Sequence, residues 1–351
     1  MEGQCYGAKR INGARNGYIP DDSRRAIVFY NDRIYHKEET TMLPISTSIH
    51  LTYDRTYRTP ITEQIRRLVA DGFSYLDFNF LDLCDDARSP FIGDGWQSWI
   101  ESAGAAAVAA GAVFNQAHAP MAVQSNGSDL SLYMERIRRS FVGCQMLGIP
   151  WMVFHYFHGD NAYGSGKTAE QFNLNFFHAV LEMAHRYGVG IAIENLFFGA
   201  KFHGEMLSAP ELQLALIEEL NDPLVGACWD TGHGNLRCYA KPEYNGARCD
   251  PATLCDVYAH LTRLGKRLRA LHVHDNNGQN DDHIPPMLGG SVDWNAFTRA
   301  LHDIGYNHSF TFEAHNTVYR LRAFGVPEEV TDEAIRLLHR IGEELVARTG
   351  I

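Results

Sequence analysis

His118, His155, Glu194, Asp230, His272 and Glu313 are all of the types that bind divalent metals or move protons, and they recur at intervals of 36 to 42 residues. A single such residue is ordinarily a solvated or hydrogen-bonded side chain. Six at near-constant spacing, each at or near the end of a short apolar run, imply a common cause. Carboxylates gathered in one place are costly to bury without a cation, so a metal centre is the expected cause. Further donors follow closely. His233 stands three residues after Asp230 in Trp229-Asp-Thr-Gly-His-Gly-Asn235, and Asp281 and His283 lie in the polar loop after His272. The set then reaches nine, enough for two or three ions. His274 is expected on the same strand face as His272, and Asp275 is expected to orient a ligand histidine. Asp77 and Asn79 are candidates for substrate contact. His158, His302, His308, His315 and His339 are read as structural or surface residues.

The elements that must carry these residues follow one repeating pattern. A β-like run ends in a polar residue, and an amphipathic helical stretch comes next. The runs are 43–50, 73–80, 112–118, 150–155, 189–194, 224–230, 269–274 and 309–313. The helical stretches are 61–71, 96–110, 130–147, 169–187, 209–220, 256–268, 294–304 and 328–348. Glycines such as Gly111, Gly148, Gly188 and Gly305 precede several runs, as expected of helix stops. Runs such as Val189-Gly-Ile-Ala-Ile193 suit strands buried on both faces of a parallel sheet. Eight such units predict an α/β protein with a single (β/α)8 TIM barrel over 43–351, after an N-terminal extension, 1–42. A doubly wound sheet gives no reason for eight regular units. In a barrel the C-terminal strand ends surround one mouth, where residues distant in sequence converge.

Composition fits this reading. The chain has 351 residues, 45% of them hydrophobic and 11% aromatic, with a net charge of −11. That is ample material for a large core. The acidity argues against nucleic acid or an anionic membrane as the main partner. No apolar run approaches the roughly 18 residues of a membrane span, and residues 1–25 lack the apolar core of a signal peptide. The seven cysteines include no CxxC pair, so a reducing cytoplasm is the expected location. A homo-oligomer is left open. Tyr18, Phe29, Tyr30 and Tyr35 give the extension the means to cover the barrel or a neighbouring subunit.

The motifs Val153-Phe-His155, Ile191-Ala-Ile-Glu-Asn195, Trp229-Asp-Thr-Gly-His-Gly-Asn235, Leu271-His-Val-His-Asp-Asn276, Asp281-Asp-His283 and Phe310-Thr-Phe-Glu313 resemble the xylose-isomerase-like barrel superfamily over about residues 43–345. That group holds sugar and sugar-phosphate isomerases and epimerases, inosose dehydratases and endonuclease IV. The resemblance implies a principal metal held by Glu194, Asp230, His272 and Glu313, with Mn2+ favoured and Zn2+, Co2+ or Mg2+ as alternatives. It also supplies counterparts, in His118, His155, His233, Asp281 and His283, for the five further ligands of the trinuclear zinc site of endonuclease IV. Two departures from the family pattern stand out, the first being from ketose 3-epimerases of the tagatose type, which carry an Arg shortly after the His ligand. No Arg occurs between Arg269 and Arg299, and the usual Gly-x-Gly after the loop histidine is Leu288-Gly-Gly290.

The expected function is a divalent-metal-dependent isomerase or epimerase of a sugar or related polyhydroxylated carbonyl compound, working through a metal-stabilised enediolate. Glu194 and Glu313 would form the acid–base pair. The partner would be a small carbohydrate. One alternative is a lyase or dehydratase acting on an inosose or oxidised glycoside, which shares the first chemical step. Another is a zinc endonuclease acting at abasic DNA. Against it, no lysine follows Lys266, and the loop 276–291 contains neither Lys nor Arg, where phosphate contacts would be useful. Tyr156, Phe157, Phe197, Trp229 and Trp294 are candidates for an apolar wall against a sugar face, or for barrel packing.

Overall fold

Short apolar runs form eight parallel strands, joined in the order β10-β1-β2-β3-β4-β5-β8-β9. The computed structural model describes residues 42–52, 59–84, 87–121, 130–158, 166–236 and 256–351. The strands are β1 (Ile45–Ser48), β2 (Tyr75–Asn79), β3 (Val113–His118), β4 (Trp151–Phe154), β5 (Gly190–Glu194), β8 (Val225–Asp230), β9 (Leu268–His272) and β10 (Phe310–Phe312). A parallel bridge from Val273 to Phe312 brings β9 against β10 and closes the ring. Val273 N donates to Thr311 O (2.8 Å), and Glu313 N donates to Val273 O (3.2 Å). The expected α/β TIM barrel is present. The expected extension 1–42 lies, except for Met42, outside the described residues.

The helices take the bounds that their periodicity predicts: Trp96–Ala110, Leu130–Leu147, Ala169–Tyr187, Ala209–Leu220 and Trp294–Ile304. Thr168 starts one of them with a capping box to Gln171, and Gly188 ends it at φ 68°, where a side chain would be strained. Their apolar faces bury Phe141, Phe177 and Phe297 completely against the sheet. Each such burial contributes roughly 1.5–3 kcal/mol. No helix among the described residues is long and apolar enough to cross a membrane.

Inside the barrel the side chains are small or hydrogen-bonded. Val153, Ala192, Cys228 and Ala270 pack together, with Trp151 against them. Ala192 and Cys228 share a strand face with Glu194 and Asp230 two residues on, so small residues lie beneath the charged ones. Polar side chains deeper in the barrel form a linked chain. Ser46 Oγ donates to Asn115 Oδ1 (2.8 Å), and Asn115 Nδ2 donates to Ser309 Oγ. Thr311 Oγ1 lies 3.2 Å from Ser309 Oγ and 3.4 Å from Gln116 Oε1, and Gln116 Nε2 donates to Asp77 Oδ2 (3.3 Å).

Among the described residues, some short elements were not expected. An antiparallel hairpin pairs β6 (Ala200–Phe202) with β7 (Glu205–Leu207), and short helices cover Thr231–Asn235 and Asn316–Ala323. These runs are too short for periodicity to register. Strand ladders also stop earlier than the extended chain does. After Val273 the backbone leaves the barrel ladder, and Asp275 pairs with Ile284 of its own loop.

Candidate metal centre

Register places the donors side by side. His118, Glu194, Asp230 and His272 are the last residues of β3, β5, β8 and β9, while His155 and Glu313 follow β4 and β10 directly. A register shift between Ala227 and Cys228 sets Asp230 opposite His272. Asn195 then ties two of these ends together. Its Nδ2 donates to Asp230 O (2.9 Å), and its Oδ1 accepts from Asp230 N (2.6 Å). Asp230 Oδ1 in turn accepts from His233 N (2.6 Å), capping the helix Thr231–Asn235 and lifting His233 over the mouth.

All nine expected residues converge. Around Glu194, His155 Nε2 lies 3.0 Å and His118 Nε2 3.6 Å from Oε2, and His233 Nδ1 lies 3.1 Å from Oε1. His272 Nδ1 sits between two carboxylates, 3.4 Å from Glu194 and 3.6 Å from Glu313. Farther out, His283 Nε2 is 3.1 Å and His233 Nε2 3.5 Å from Asp281 Oδ2. Three sets each offer ligand atoms within 4.8 Å of one another: His118–His155–Glu194, Glu194–Asp230–His272 and His274–Asp281–His283. Glu194, Asp230 and His272 are fully buried, whereas His155, Asp281 and His283 are partly exposed and mark the open side.

The donor chemistry fits a cation. His118 Nδ1 donates to Ala119 O (2.8 Å), His233 Nδ1 to Asn195 O (3.0 Å) and His283 Nδ1 to Glu313 O (2.9 Å). A neutral imidazole with its Nδ1–H so engaged carries a lone pair on Nε2. Those lone pairs face carboxylate oxygens, or in His118 a second imidazole at 3.2 Å. Glu194 Oε2, both nitrogens of His272 and Asp281 Oδ1 are buried without a hydrogen-bond partner. Such groups are expensive unless a proton or a metal ion lies between them.

Residues 65–341 match the family described as the xylose isomerase-like TIM barrel. The chain belongs to that family. A relative, the uncharacterized protein y4fM of Sinorhizobium fredii, is 30% identical over 207 residues, and the chain spans only 57% of its length, as the match spans 57% of the chain. Among solved structures, a D-psicose 3-epimerase from Clostridium cellulolyticum superposes with a TM-score of 0.60 at 15% identity, over 87% of this chain and 99% of that one. The 3-keto-D-glucoside 4-epimerase YcjR of E. coli gives 0.57 at 15% identity, over 85% and 99%. At these identities the likeness is one of fold.

Without a metal ion the same contacts favour protons on the rings and charge on the carboxylates. Burial opposes charge on His283, but the Asp281 carboxylate outweighs it and holds the ring up at about 9. Burial would raise Glu313, yet His272 and His118 bring it down to about 2. Glu194 is likewise held well below the usual carboxylate range, with burial opposed by His272 and His155. Asp77, deeper in the barrel, goes the other way, pushed up to about 6 chiefly by burial.

Several residues take parts that their spacing does not reveal. Among the described residues, the hydrogen-bond partners of Asp275 include no histidine ring. Its carboxylate accepts from Asn276 N (2.9 Å), Val292 N (3.1 Å), Met287 N (3.2 Å) and Trp294 Nε1 (3.0 Å), and so pins the loop that carries Asp281 and His283. Asn79 accepts from Leu81 N (2.8 Å). Of the candidate wall, half-buried Phe197 lies beside the site, its ring 5.1 Å from that of His233. Phe157 packs on Phe172 and Phe176, and Tyr156 donates to Phe198 O (2.8 Å).

Proposed function

We propose that this protein is a divalent-metal-dependent isomerase or epimerase of a sugar or related polyhydroxylated carbonyl compound. One observation carries the reading: Glu194 and Glu313, from strands on different sides of the mouth, both approach the single ring of His272, at 3.4 and 3.6 Å. Two carboxylates flanking one point can take a proton from a carbon beside a carbonyl and return it on the other face. Glu194, Asp230, His272 and Glu313 would hold the ion, for which the family resemblance favours Mn2+. Bound there, a divalent ion supplies Lewis acidity to a carbonyl oxygen and its neighbouring hydroxyl. His233 and His155, which line the mouth around Glu194, would orient substrate hydroxyls or hold a second ion. D-tagatose and 3-keto-D-glucosides, the sugars of the similar structures, are the first substrates to offer. Metal-loaded protein should interconvert one member of a ketose panel, and Glu194→Gln and Glu313→Gln should each abolish turnover. Unchanged rates in both variants would sink the assigned roles. Loss of mass in the product would point instead to the lyase or dehydratase that shares the first step.

A second reading, incision of DNA at abasic sites, is favoured by a different observation. His118, His155, His233, Asp281 and His283 add five donors beyond those a single ion needs, and all lie within reach of the first set. Incision of an abasic duplex by zinc-loaded protein, without ketose turnover, would establish it.

A further inference from the structure

The helix Ala209–Leu220 buries Leu212, Leu214, Leu216 and Ile217, and with them one polar side chain, Gln213. Gln213 is completely buried. An amide in such a place costs stability unless its polar atoms are met, and here they are. Its Nε2 donates to Ile193 O and to Cys228 O, both at 2.7 Å, and so uses both of its hydrogens. Its Oε1 accepts from His260 Nε2 at 3.3 Å. Carbonyl oxygens only accept, so the amide can face the strands in one way alone.

Those two carbonyls belong to different strands, at the level where their ladder opens. At the start of the pairing between β5 and β8, Ile191 N donates to Leu224 O at 2.7 Å, whereas at the mouth Asn195 N reaches Cys228 O only at 3.4 Å. Gln213 bridges the two strands at that opening. Ile193 O belongs to the peptide that leads into Glu194, and Cys228 stands two residues before Asp230. On the other flank of Glu194, Asn195 joins Asp230 through two amide bonds, at 2.9 and 2.6 Å. Glu194 therefore sits between two side-chain amides, and each of them ties β5 to β8.

We propose that Gln213 is a positioning residue. Acting through the backbone of β5 and β8, it sets the separation of the Glu194 and Asp230 carboxylates, and with it the strength with which they hold a divalent ion. This rests on the reading that the mouth holds a cation. The plainer alternative is that Gln213 satisfies two carbonyls and contributes stability only.

Calorimetric binding of Mn2+ to the metal-free full chain separates the two. Gln213→Met keeps the length of the side chain and removes both donors. It should bind Mn2+ at least about 10-fold more weakly than the wild type, the lower end of what a lost orienting partner costs a metal site. Gln64, a buried amide on the helix Ile61–Ala70 that donates to Thr59 O (2.9 Å), supplies the comparison. Gln64→Met should lose stability in urea and still bind Mn2+ within about twofold of the wild type, as expected of an independent site. Gln213→Asn keeps an amide but withdraws it by one methylene from the two carbonyls. It should weaken Mn2+ binding in the same direction, and it decides the matter if the methionine variant does not fold. Wild-type affinity in the folded Gln213 variants would overturn the proposal. So would an equal loss of affinity in Gln64→Met, which would trace the effect to a general loosening of the fold. Absence of Mn2+ binding to the wild type would overturn the reading under Proposed function as well.

Discussion

The barrel contains two groups of buried polar side chains, carried by different strands, and they are satisfied in different ways. The deeper layer, Ser46, Asn115, Ser309, Thr311 and Gln116, closes on itself through hydrogen bonds between side chains. At the mouth, at and beyond the ends of β5 and β9, Glu194 Oε2, both ring nitrogens of His272, His274 Nδ1 and Asp281 Oδ1 make no hydrogen bond, although imidazole and carboxylate groups stand 3.0 to 3.7 Å apart there. A buried polar group lacking a partner costs about 1–3 kcal/mol, and a fold that could satisfy one layer had the means to satisfy the other. Donors without hydrogen bonds at the C-terminal strand ends are what the proposed cation site calls for, while Asp77 Oδ1, deeper in the barrel, also makes none.

This contrast breaks most visibly in turnover. Glu194→Gln or Glu313→Gln should slow substrate proton exchange by at least about 10^3-fold, the range expected when a general acid or base is lost. Asn115→Ala in the deep layer should leave the rate of the folded protein within about threefold. The next effect is on stability. Chelation should destabilise the wild type by about 3 kcal/mol, as for an ion present at a hundred times its dissociation constant, measured by denaturant unfolding with and without metal. In chelated protein Glu194→Gln should cost stability, because His155 and His272 lose the carboxylate that they hold charged. Asn115→Ala should cost about 1–3 kcal/mol with metal or without it, since Ser46 and Ser309 lose their shared partner.

The smallest effect sharpens the comparison from outside the barrel. His260 lies behind the mouth, against the Trp229 ring, and burial lowers it to about 4. A histidine lowered in the folded state stabilises fully above its ordinary value near 6.5, and that stability is lost as pH falls through the window from there to about 4. His260→Gln should flatten this acid limb by an amount on the order of 1 kcal/mol in urea unfolding at pH 7 and pH 5, and should leave metal content unchanged.

Most of the scaffold was legible in the chain. Helices such as Trp96–Ala110 and Ala169–Tyr187 are long enough for the 3.6-residue period to define both ends, with glycines marking the stops. Six donor residues at regular spacing were legible because a barrel turns sequence period into spatial convergence. The hairpin at 200–207 was not, because three-residue strands carry no measurable alternation. Asp275 was misjudged for a physical reason. Adjacency to His274 suggests a histidine partner, but an extended chain sends neighbouring side chains to opposite faces. Its partners instead come from the loop up to 19 residues on, through Trp294 Nε1. His274 shows the converse limit. Period two puts it on the face of His272, but only the structure tells which carboxylate each ring meets.

The most direct test of the central claim is deuterium incorporation from D2O into the carbon beside the carbonyl of a ketose panel, followed by NMR with metal-loaded and chelated protein. A cation-dependent epimerase predicts a deuteron in the product epimer of one substrate, lost on chelation and lost in both Glu194→Gln and Glu313→Gln. Incorporation that survives chelation, or none from any sugar while the loaded protein incises an abasic duplex, would contradict it.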